Sequence, residues 1–161
     1  MTRLDLLKTL CDETRKATAD IIMPTQLQKG DKKQLFRPAD MYQMRLPNFS
    51  AAQKKAPYII HQVITSKDIQ PSGNPVSSST VIRSIFCIYN DNEEEGALML
   101  LNLMERLRIH LLEKIVIGNR YELNLEVGLE TLIYPDDTAP FYAGEMSSTW
   151  KIPETKRKVI I

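Results

Sequence analysis

Side chains able to do acid, base or metal chemistry are scattered along this chain. Glu93, Glu94 and Glu95 are consecutive; Glu126 and Glu130 are followed by Asp136 and Asp137, and the two histidines are His61 and His110. A divalent cation held for phosphodiester cleavage needs carboxylates converging from several strands, with a lysine beside them. Glu126, Glu130, Asp136 and Asp137 are the set that could serve, and a small metal-dependent nuclease is one alternative reading. The Glu93–Glu95 run does not serve, because consecutive residues on a helix point about 100° apart and cannot share one ion. It complements instead the positive end of a helix dipole. Two histidines are too few for a histidine-rich metal site, and Cys11 and Cys87 lack zinc-ligand spacing and read as buried reduced thiols. There is no nucleophile elbow, phosphate-binding loop or dinucleotide fingerprint. The expectation is therefore no catalytic residue, no metal and no cofactor.

Bulk properties narrow the partners. The chain has 161 residues, enough for one domain (1–161) with its own core. A net charge of +1 removes bulk basicity as a sign of nucleic-acid binding. The exception is Lys156-Arg157-Lys158 in the C-terminal tail, 154–161, which ends Val159-Ile160-Ile161. That cluster could touch phosphates or an acidic partner. No apolar run reaches the roughly 18 residues that cross a bilayer, and the N-terminus lacks a signal-peptide core, so no membrane contact and a reducing cytoplasm are expected.

The elements that must position these residues follow from periodicity. Leu4, Leu7, Leu10, Cys11, Ala17 and Ile21 recur at helical spacing over 3–22, with Thr2 as cap and Pro24 as stop. Residues 24–56 lose all period and read as a long loop or insertion, either docking on a partner or disordered. A strand over 58–64 and a doubly apolar strand over 80–89 flank a Pro/Gly/Ser-rich hairpin tip around Gly73. Asn90 to Asn92 then cap a second helix reaching about Val116, stopped by Gly118-Asn119. Strict alternation over 121–130 predicts a strand with Glu122, Glu126 and Glu130 on its polar face. In a last strand ending at Pro153, Tyr142, Met146, Trp150 and Ile152 share one side, and Trp150 belongs to the core. Glu145, Ser147, Thr149 and Lys151 line the other, an edge-like polar face. The expected fold is α+β, a mostly antiparallel four-stranded sheet packed with two helices, in the order α-β-β-α-β-β with the long excursion after the first helix.

Several segments carry a resemblance. They are Leu46-Pro47, the strand opening Ala56 to Ile60, the acidic helix start Tyr89 to Gly96, the helix segment Leu101 to Arg108, and above all Gly144-Glu145-Met146-Ser147-Ser148-Thr149-Trp150-Lys151-Ile152-Pro153. Over about residues 44 to 154 the chain resembles the tail terminator, or tail completion, proteins of long-tailed bacteriophages and prophages, which act in head-tail joining; 24 to 42 do not fit the pattern. The resemblance implies a non-enzymatic virion component, a homo-oligomeric ring and usually a hexamer. Such a ring caps the tail tube protein, stops its polymerisation and provides the surface for the head-tail connector proteins. DNA passes through its channel without sequence-specific binding. Assembly in the host cytoplasm and a place in the virion, at the head-proximal end of the tail, go with it. Gly73, Glu122, Glu126, Glu145, Ser147, Thr149, Lys156, Arg157 and Lys158 are then the candidate subunit or partner contacts. A bacterial adaptor taking a peptide along a free sheet edge is the remaining alternative.

Overall fold

The computed structural model describes residues 2–28, 30, 32–47, 55–135 and 138–155. Helix α1 spans Arg3–Thr18. Strands β1 (Met23–Pro24), β2 (Phe36–Arg37) and β3 (Asp40–Gln43) follow, then the long β4 (Tyr58–Ile69) and β5 (Ser77–Tyr89). Helix α2 covers Glu93–Lys114; β6 (Val116–Ile117), β7 (Tyr121–Leu123), β8 (Glu130–Ile133) and β9 (Phe141–Ile152) complete the order.

The α+β class and the two helices stand, but the sheet has about seven strands, not four. It is mixed, mostly antiparallel, and curled into a half-barrel. Its path is β3-β4-β5-β9-β7-β6, with β8 also pairing β9, while β1 and β2 form a separate two-stranded piece. The extra strands are two to four residues long, too short for local periodicity to reveal them. β3 lies inside the stretch read as a loop and runs parallel to β4, with Asp40 opposite Tyr58.

Two strands depart from their sequence reading. Residues 121–130 do not form one strand. The Asn124 side chain accepts from the N–H groups of Glu126 and Val127, and Gly128 has φ +90°, so the chain turns and re-enters the sheet as β8. The last strand, β9, is no edge: it pairs with β5 along its whole length and with β7 and β8 on the other side. Its alternation reports a sheet with one covered face, which central and edge strands share.

Capping follows the sequence closely. Thr2 Oγ1 accepts from Asp5 N and Asn92 Oδ1 from Glu95 N, each satisfying an orphan donor of a first turn. α1 ends at Thr18, earlier than Pro24 requires, and Asp20 just beyond it receives a two-oxygen contact from Arg106 of α2 at 2.7 and 2.9 Å. Gly118 and Asn119 do not stop α2, which closes at Ile115; with positive φ they turn β6 into β7.

Both helices lie on one face of the sheet. Leu6, Leu10, Leu100, Leu103, Met104, Leu107 and Leu111 meet Ile59, Ile82, Phe86, Ile88, Met146 and Trp150 there. Trp150 is fully buried and its indole N–H donates to Ser148 Oγ at 2.9 Å. A smaller cluster of Leu46, Ala56, Tyr58, Ile60 and Cys87 covers one end of the opposite face. β5 is therefore covered on both sides only near Cys87. Cys11 and Cys87 are free and buried, and burial raises both thiols. Among the described residues no helix is long and apolar enough to cross a membrane.

Candidate functional site

The helix-free face of the sheet is built by alternation. Register places Ile85 opposite Glu145, Arg83 opposite Ser147 and Val81 opposite Thr149. On the other side of β9, Leu132 lies opposite Glu145, Glu130 opposite Ser147, and Glu122 opposite Lys151. Cross-strand partners share a face, so Glu122, Glu145, Ser147 and Thr149 are brought together on one surface. Thr149 is buried; Glu122 and Ser147 are exposed. Their shared polar side is a face of the sheet and not its margin.

A shallow groove of about 270 Å³ crosses this face, lined by Ile64, Val81, Arg83, Glu130, Leu132 and Glu145. The Arg83 guanidinium donates twice to Gln62 Oε1, at 3.0 and 3.1 Å, and approaches Glu145 at 3.9 Å. Ile64 reaches the groove because the β4–β5 register shifts between Val63 and Thr65, leaving an extra residue that re-aims the strand. Tyr134 stands nearby; burial and the Glu145 charge raise its phenol, against a smaller opposing effect of Arg83. The sequence reading missed Ile64, Val81, Arg83 and Leu132 as surface residues. Apolar strand residues carry no sign of which face is left uncovered.

The other candidates lie apart from the groove. Gly73, with φ +75°, occupies the exposed β4–β5 tip. The nearby Gln70 amide donates to Thr155 O, which brings the tip beside the C-terminal end of β9. Glu126 is exposed in the β7–β8 turn. Lys156, Arg157 and Lys158 lie outside the described residues, as do Asp136 and Asp137. Glu122, Glu126 and Glu130 have no ion pair among the described residues, and there no three metal-ligating side chains converge.

Both histidines have structural partners. His61 Nδ1 is 2.7 Å from Ser84 Oγ and its Nε2 is 2.9 Å from Thr14 Oγ1, and all three residues are buried. This Ser-His pairing is sealed between α1 and the sheet, out of reach of a substrate. Burial lowers the His61 imidazole to about 3. His110 Nε2 meets Glu13 Oε2 at 2.7 Å and Lys114 Nζ lies 3.0 Å from Glu13, joining α2 to α1.

No protein-family model matches the chain, and no curated protein matches it in sequence.

Proposed function

We propose that this chain is a ring-forming structural component of a long-tailed phage or prophage tail, a terminator that caps the tail tube. The observation carrying this reading is a row of exposed apolar residues, Leu132 and Ile133 of β8 and Tyr134 just after it, with Leu132 in the Ile64–Val81 groove and Ile133 on the side of α2. Contiguous exposed apolar surface marks a protein contact. The β9 motif that carries the family resemblance builds the strand beneath this row, with Gly144 directly under β8. Six copies around an axis would leave a channel for DNA. The mechanism is steric: the docked ring covers the surface the next tube subunit would use, and its opposite side meets the head-tail connector.

Electron microscopy of the purified protein, with mass measured in solution over a range of concentrations, tests this. Closed rings of uniform subunit number are expected. A strict monomer that also fails to bind tube ends overturns the reading. In the same preparation, magnesium-dependent cleavage of plasmid DNA, abolished by Glu130→Ala, would replace it with the nuclease alternative.

A further inference from the structure

Besides β6 at the end of its path, the curled sheet has two unlike strand margins, β3 and β8, and each presents backbone groups turned away from its neighbour, the Gln43 carbonyl at β3 being taken by Arg45 N. Among the described residues β3 pairs with β4 alone. Asp40 N donates to Pro57 O and Met44 N to His61 O, so the even residues face β4 and the backbone N–H groups of Met41 and Gln43 point away from it. A groove of about 300 Å³ lies beside this margin, between the end of α1 (Arg15, Thr18, Ala19) and Pro38, Asp40 and Met41. Likewise, β8 pairs with β9 alone among the described residues. Tyr134 N donates to Ala143 O, so by ladder alternation Glu130 and Leu132 face β9 and the backbone groups of Thr131 and Ile133 point outward. All four residues of β8 are exposed, with Leu132 at 52% and Ile133 at 45%.

A long-lived protein shields such a strand with charge, proline or a covering element, and beyond Glu130 at its start β8 carries only Thr131, Leu132 and Ile133. We infer that β8 of one subunit adds to the β3 margin of a second copy of this chain, joining two half-barrels into a continuous sheet. Three observations select a second copy over a foreign strand. The two margins match in length, four residues each, Asp40–Gln43 and Glu130–Ile133. They differ in kind, so the contact is heterologous and propagates in one direction, as a closed ring requires. Their charges are also complementary. Glu122, Glu126 and Glu130 surround β8 without ion partners, while Arg45 and Lys55 near β3 have none either among the described residues. The inference rests on the ring reading above and names the surface that closes the ring.

Proline separates the outward backbone groups from the inward ones. Thr131→Pro and Met41→Pro each remove an N–H that makes no bond among the described residues, so each variant keeps its own ladder and loses one margin. Mass in solution is measured for the wild type, each variant and an equimolar mixture, with circular dichroism as the check on folding. Each variant alone is expected to be monomeric. The mixture is expected to give a one-to-one complex and nothing larger, because it retains one intact β8 and one intact β3. Ile133→Asp, which leaves every backbone group in place and charges the same margin, is expected to dissociate the ring as well, and it carries the test should a proline variant not fold. If the wild type is a ring and the folded variants remain rings, the strand contact is wrong and the ring reading survives. If the wild type is monomeric at every concentration, the strand contact is wrong, and if it also fails to bind tube ends the ring reading falls with it.

Discussion

His61 and Glu13 are two buried ionisable side chains that respond to acid in different pH ranges. Burial holds His61 neutral in the fold, at about 3 against 6.5 in an exposed chain. Between these values the unfolded chain takes up a proton that the folded one refuses. Stability is therefore undiminished above about 6.5 and falls by roughly 1 kcal/mol per pH unit below it. His61→Gln keeps a donor and an acceptor between Thr14 and Ser84 but does not titrate. Urea denaturation should give a midpoint at pH 7 lowered by about 1–2 kcal/mol in stability, and a much smaller loss between pH 6.5 and 4.5 than the wild type shows. Glu13 works lower on the scale. Burial pushes its carboxyl up, but hydrogen bonds from His110 and Lys114 and the charges of Lys114 and Lys16 outweigh this and hold it at about 2. Its folded value lies below the unfolded one, so its contribution is present above about 4.5 and lost as pH falls toward 2. Glu13→Gln should therefore lower stability at pH 7 without flattening the loss between pH 6.5 and 4.5. An equal flattening of that slope by both variants would show that His61 is not the group responsible.

At the scale of elements, the attachment of β8 depends on Gly144. A Cβ there would meet Leu132 O at 2.8 Å and Met104 Sδ at 2.9 Å, so β8 or α2 must shift to admit it. Gly144→Ala should cost about 1–3 kcal/mol by overpacking, measured by thermal or urea unfolding. Because the backbone of β8 is what moves, the variant should also increase hydrogen exchange at Leu132 and Tyr134 more than in β5. The motif around Gly144 was legible from sequence as a strand with Met146 and Trp150 turned to the core, and so were both helix caps and the long apolar faces. These features are local: a cap needs three residues and an alternating strand about six. The place of β9 in the sheet was not legible, since a polar face says which side is uncovered and nothing about which neighbours pair. The break at Asn124 was hidden by apolar residues that keep their alternation through the turn, although Leu125 and Val127 point into solvent. Asn124 and Gly128 were the signal, a side chain that bonds its own backbone two and three residues on and a residue free to take positive φ. The site was legible to the same degree. The shared face of Glu145, Ser147 and Thr149 follows from period two, whereas Arg83, Ile64 and Leu132 join it only through long-range register and a bulge.

For the whole molecule, a net charge near zero conceals an uneven distribution. The acidic residues around β7 and β8 lack ion partners among the described residues, while Arg45 and Lys55 stand beyond the opposite end of the sheet path. If these glutamates lined a channel, they would meet passing DNA with repulsion and have little effect on assembly. At the subunit contact they face cations across it, and assembly then depends on ionic strength. Exposed pairs are screened over a Debye length of about 8 Å at physiological salt, so each is weak alone. Charges repeated at every contact of a ring nevertheless add up around the circle. Glu126→Lys combined with Glu130→Lys should shift the monomer–ring equilibrium toward monomer at low salt, with the unfolding midpoint of the monomer hardly changed because both residues are exposed. Adding Arg45→Glu to the same chain restores opposite signs across the contact and should recover the ring. High salt should weaken the wild type and largely abolish the difference between the variants, since the electrostatic contribution is then screened in all of them. Recovery by Arg45→Glu is the informative result: a channel lining would leave the reversed glutamates indifferent to a charge near β3.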